Sequence, residues 1–131
     1  VNGRRFPFLA SFGHAVAGIV GTVRREKHMR FHAVAALVVI VAGICLKVGR
    51  TGWLWLAAAI AAVFATELLN TAIERTVDLV TQEKHPLAKA AKDAAAGAVL
   101  IAALFAVAVA IAVFGPLIWA ALFDSTVKGE N

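Results

Sequence analysis

The chain has 131 residues, 61% of them hydrophobic, and a formal net charge of +5. Soluble domains carry about 45–50% apolar residues, so this excess, gathered into membrane-length runs, excludes an ordinary soluble domain and indicates a single integral membrane domain over residues 1–131. The basic residues flank the apolar runs, which suits anionic lipid headgroups and argues against nucleic acid as a partner.

Residues 6–24, FPFLASFGHAVAGIVGTVR, are moderately apolar. Phe8, Leu9, Phe12, Val16, Ile19, Val20 and Val23 recur at three-and-four spacing, which predicts an amphipathic helix lying on the membrane surface. The basic cluster RREKHMR follows at 24–30. The next apolar run, Phe31 to Val48, is short for a span, so its helix is expected to begin inside the cluster and to cover 28–48, with Arg30 at the headgroups. The single cysteine, Cys45, lies within this run and supports neither a disulfide nor a thiol–metal cluster. KVGRTG at 47–52 reads as a turn.

Trp53 and Trp55 open a second span, 53–80, as interfacial anchors. TQEKHP at 81–86 is a short polar loop, and Pro86 suits the first turn of a third span over 87–122. Pro116 falls near its exit, where Trp119 forms a further anchor. The predicted fold is therefore all-α: one surface helix and three transmembrane helices. Arg4, Arg5, Arg24, Arg25, Lys27, Arg30, Arg75, Lys84, Lys89 and Lys92 fall on one side of the membrane, against Lys47, Arg50 and Lys128 on the other. That bias of ten to three puts the N-terminus and the 81–87 loop in the cytoplasm and the C-terminus outside.

Six of the eight acidic residues also belong to the cytoplasmic side: Glu26, Glu67, Glu74, Asp78, Glu83 and Asp93. A charge at the centre of a membrane helix costs about 2.5–3.5 kcal/mol, so such groups need partners or a wet cavity. In FATELLNTAIERTVDLV, residues 64–80, the carboxylates have helical spacing. Glu67, Asn70, Glu74 and Asp78 share one face, a stripe about 16 Å long at 1.5 Å per residue. Any one of these acids could be a structural partner of Arg75 or Lys92; the accumulated insertion cost argues against that for the whole stripe.

The grouping suits phosphoryl transfer to a lipid hydroxyl. Glu26 and Glu74 are hard ligands for Mg²⁺, Lys92 can offset phosphate charge, and Glu67, partly withdrawn from water, can accept the proton of an alcohol at headgroup level. No GxxxxGK[ST] loop occurs, which excludes a P-loop kinase. His28 and His32, four residues apart, lack an evident third ligand and read as a pair facing the headgroups. His14 and His85 read as polar contacts near the site. An ion or proton relay is the rival reading, but residues 53–66 carry the polar stripe no further across the membrane. A non-enzymatic scaffold leaves the stripe unexplained.

ELLNTAIERTVDLV at 67–80 with HPLAKAAKDAAAGAV at 85–99 closely resembles the small bacterial diacylglycerol kinase/undecaprenol kinase family, and the resemblance runs from about Ser11 to Pro116. It implies a homotrimer in the bacterial cytoplasmic membrane that uses Mg²⁺ and ATP to phosphorylate a lipid alcohol at the cytoplasmic face. By matching position, it implies Glu67 as catalytic base at the lipid substrate and Glu26 and Glu74 as metal-holding carboxylates. It also implies that His14, Glu26, Asn70, Glu74, Asp78, Glu83, Lys84, His85, Lys92 and Asp93 form the nucleotide site. Diacylglycerol-type members carry an arginine near the start of the surface helix. Pro7 occupies that register here, so either Arg4 or Arg5 takes its place or the contact is absent. HPLAKAAKDAAAGAV is more similar to the undecaprenol-kinase branch, with diacylglycerol as the alternative substrate.

Overall fold

The computed structural model describes residues 7–127, with side chains from 8 to 123. Four helices follow one another: α1 (Pro7–Arg25), α2 (Lys27–Cys45), α3 (Arg50–Val80) and α4 (Pro86–Val127). Among the described residues there is no strand. Helices α2, α3 and α4 are each long and apolar enough to cross a bilayer, and the protein is an all-α integral membrane protein. Arg4, Arg5 and Lys128 lie outside the described residues.

The apolar face of α1 finds little to pack on within the chain. Phe8, Leu9 and Phe12 are all more than 60% exposed, as a helix lying in a lipid surface requires. A single residue separates α1 from α2. Glu26 adopts an extended backbone (φ −96°, ψ 125°) and is the N-cap of α2, but its carboxylate leaves the cap and reaches α3.

The α2–α3 connection is shorter than KVGRTG suggests. The chain turns over residues 46–49, and α3 starts at Arg50, before the expected Trp53. Lys47 N–H donates to the Ile44 carbonyl at 3.2 Å, and Val48 N–H to the Gly43 carbonyl at 2.9 Å. These two bonds close the C-terminus of α2 through a residue in the left-handed region, usually glycine. Here that residue is Lys47, at φ 53°. Val48 then tucks into the core at 8% exposure. Lys47→Gly should remove the steric cost of that backbone at the expense of some chain entropy, a net gain of about 0.5–1 kcal/mol. Thermal unfolding in detergent should show a higher Tm; an unchanged or lower value would contradict the assignment.

Two close approaches hold the far end of the bundle. A Cβ at Gly43 would come within 2.7 Å of the Trp53 ring, and one at Gly52 within 2.6 Å of Val48 and 3.2 Å of Val113. Trp53 therefore packs inward on α2, contrary to its expected role as an interfacial anchor, because glycine at 43 opens a seat for its ring. Trp55 does face outward, at 53% exposure. The core around Val48, Leu56, Ala59 and Val109 lies mainly between α3 and α4. Pro116 stands inside α4, which continues to Val127. Trp119 is exposed and stacks on Phe123, with ring centroids 4.3 Å apart.

Candidate active site

Three contacts set the antiparallel register of α2 and α3. Arg75 donates to Glu26 at 2.9 Å, His32 Nε2 lies 3.1 Å from Glu67 Oε1, and Trp53 covers Gly43. Glu67 is thereby carried into the interior. It is 5% exposed, a carboxylate buried between α2 and α3 with which no arginine or lysine among the described residues pairs. One turn on, the half-buried Asn70 donates from Nδ2 to Glu74 Oε1 at 3.3 Å. Its Oδ1 is buried with no hydrogen-bond partner among the described residues. Neighbouring threonines look after themselves: Thr66 bonds back to the Ala62 and Val63 carbonyls, and Thr76 to Ala72. Glu67, Asn70 and Glu74 are thus drawn on by side-chain contacts across or along α3, and Asn70 Oδ1 keeps spare accepting capacity.

Beside the buried acid, His32 lines a small cavity of about 100 Å³ whose other walls include Val39, Leu56, Val63, Phe64 and Ala106. The imidazole is the polar group in an otherwise apolar wall, and the Glu67 carboxylate lies against it.

A second, larger cavity of about 700 Å³ opens where α3 meets α4. Asp78, Glu83, Lys84, His85, Lys92 and Asp93 all line it. Lys92 Nζ bonds Asp78 Oδ1 at 2.6 Å, bridging the two helices, and Lys89 pairs with Asp93 one turn away. The loop is shaped by its own side chains. Glu83 N–H donates to Thr81 Oγ1 at 3.1 Å, and His85 Nδ1 accepts Leu87 N–H at 3.2 Å, capping α4. With Nδ1 so occupied, neutral His85 carries its proton on Nε2. The cavity offers cations, hydrogen-bond donors and carboxylates together, the equipment for a polyanion carrying a metal ion.

Residues 13–114 match the family described as "Prokaryotic diacylglycerol kinase". This chain belongs to the prokaryotic diacylglycerol kinase family. It is 47% identical over 109 residues to "Undecaprenol kinase" of Bacillus subtilis (strain 168), covering 83% of this chain and 89% of that protein. It is 44% identical over 102 residues to "Diacylglycerol kinase" of Synechocystis sp., covering 77% of this chain and 58% of the relative. To "Diacylglycerol kinase" of Escherichia coli (strain K12) it is 35% identical over 95 residues, 72% of this chain and 78% of that one. Membership in a kinase family with these relatives makes the protein a lipid kinase, and ATP use follows from that chemistry.

In this family member, six of the expected nucleotide residues meet at the α3–α4 cavity, while Asn70 and Glu74 lie further along α3. His14 is exposed on α1. Glu26 and Glu74 are engaged separately, the first by Arg75 and the second by Asn70. Among the described residues, no three His, Cys, Asp or Glu side chains gather into a metal cluster. That arrangement still fits Mg²⁺, which takes only one or two carboxylates when phosphates and water complete its shell. The unpartnered Asn70 Oδ1 beside Glu74 adds a hard oxygen of the right kind. His32 is the residue that reading the sequence missed. Its four-residue spacing from His28 suggested a shared face, yet His28 is exposed and His32 turns inward to Glu67.

Proposed function

We propose that this lipid kinase transfers the γ-phosphoryl group of ATP to the terminal hydroxyl of undecaprenol, with Glu67 as general base. The observation that carries the reading is a carboxylate 5% exposed against His32, which walls an otherwise apolar cavity, on the same helix as Asp78 in the charged cavity. The two acids are eleven residues apart, or about 16 Å along α3. A membrane alcohol can reach the first from the bilayer while a nucleotide occupies the second from water.

In the reaction, Glu67 takes the hydroxyl proton as the alcohol oxygen bonds to the γ-phosphorus. The bond from phosphorus to the bridging oxygen breaks, and its electrons leave with ADP. Lys92 offsets phosphate charge, with Asp78 holding it in place until the nucleotide arrives. Lys84 and the Nε2–H of His85 supply further donors at the loop, and Glu83, Asp93 and His14 complete the nucleotide contacts. Glu26 and Glu74 would hold Mg²⁺, with Asn70 beside them. The ion, when bound, neutralises charge that develops on the phosphates. The excess of basic residues beside this end of the bundle supports a cytoplasmic site. The broad apolar faces left open on α2 and α4 support assembly as a homotrimer, with sites shared between subunits.

Undecaprenol is favoured over diacylglycerol because the relative named undecaprenol kinase shares 47% identity, against 44% and 35% for the two diacylglycerol kinases. The cavity walled by His32, apolar on its other sides, also suits an acceptor with one hydroxyl and a hydrocarbon chain. Purified protein in bilayers, supplied with Mg-ATP and either lipid, should phosphorylate undecaprenol with the higher kcat/KM. A preference for diacylglycerol would overturn the substrate assignment.

A further inference from the structure

We propose that His32 is a positioning residue for Glu67, occupying one carboxylate oxygen so that the other is presented to the lipid hydroxyl. The inference rests on Glu67 as the general base. His32 Nε2 lies 3.1 Å from Glu67 Oε1, within the reach of an N–H donor. Both side chains are largely withdrawn from solvent, at 18% and 7% exposure. The imidazole is held from the side by Phe31, edge to face with ring centroids 5.4 Å apart, and it walls the apolar cavity. It is therefore at once the polar contact of the carboxylate and a boundary of the space an acceptor chain would enter.

A buried carboxylate left to itself can rotate about its terminal torsion, and either oxygen can face the substrate. A donor fixed on Oε1 removes that freedom. Oε2 then stays directed at the hydroxyl, and the proton released as the oxygen–phosphorus bond forms is accepted there. His32 touches neither nucleotide nor reacting phosphorus in this scheme. Its effect passes through Glu67, so it should act on turnover and leave nucleotide affinity alone.

Two variants of similar size separate this role from simple packing. His32→Gln keeps an N–H donor near the position of Nε2, whereas His32→Met fills the space without one. In bilayers with saturating Mg-ATP and undecaprenol, His32→Met should lower kcat about 10–100-fold, the size of effect seen when a group orienting a functional ligand is lost. KM for ATP should stay unchanged. His32→Gln should recover most of kcat, although both variants lose the ring. Equal activity of the Met and Gln variants, at any level, would overturn the inference, as would a loss that appears in KM for ATP. Glu67→Gln is assayed beside them. If it stays active, the base assignment fails and this inference fails with it; if it is inactive while His32→Met turns over normally, only the positioning role is lost.

Discussion

Glu67→Gln is expected to reduce turnover by about 10²–10⁴-fold, the usual contribution of a general base. ATP binding should change little. The substitution is close to isosteric, and the amide oxygen of glutamine can take the place of the carboxylate oxygen that lies 3.1 Å from His32 Nε2. The local packing therefore has no reason to change. Removing a carboxylate that is 5% exposed should, if anything, ease the burden on folding, because a neutral amide is cheaper to bury than a charged group. An inactive variant with an unaltered or raised Tm would separate catalysis from stability. Phosphoryl transfer from labelled ATP gives the rate, and direct titration with nucleotide gives the affinity. A variant that kept most of its activity would remove Glu67 from the base role and leave its burial without a function.

The α3 stripe was legible because one helix has one period. Glu67, Asn70, Glu74 and Asp78 follow from spacing alone, and the structure finds them on a single helix, with Asn70 bonded to Glu74. What spacing within a helix does not contain is the register between helices. Glu26 against Arg75 and His32 against Glu67 are products of how α2 docks on α3, and the pairing of His28 with His32 by four-residue spacing pointed the other way. Trp53 shows the same gap. Tryptophan at a span boundary usually marks an interface, but glycine at 43 on a neighbouring helix makes an inward seat available. The turn expected over 47–52 is shorter in the structure, covering 46–49. The left-handed residue there is Lys47, while Gly49 caps α3 at φ −71° and Gly52 is used for close packing.

Glu74→Gln tests the other half of the site and should fail differently. Glutamine at 74 can still accept the Asn70 Nδ2 hydrogen bond, now 3.3 Å, so the turn of α3 around it should hold. What disappears is the negative charge beside Asn70 Oδ1, the buried oxygen with no partner among the described residues. A neutral amide is a poor substitute for a carboxylate at a hard divalent ion. Loss of outer-shell partners in metal sites costs about 10–100-fold in affinity, and loss of a direct ligand should cost at least as much. The Mg²⁺ concentration for half-maximal rate should rise by that factor, with kcat partly recovered at high Mg²⁺. Glu67→Gln should show no such recovery, since added metal cannot restore a proton acceptor. The two variants, eleven ångströms of helix rise or less apart by about 1.5 Å per residue, would then separate by their response to one ion. An unchanged Mg²⁺ dependence in Glu74→Gln would move the metal off Glu74 and leave Asn70 Oδ1 to be explained by the nucleotide alone.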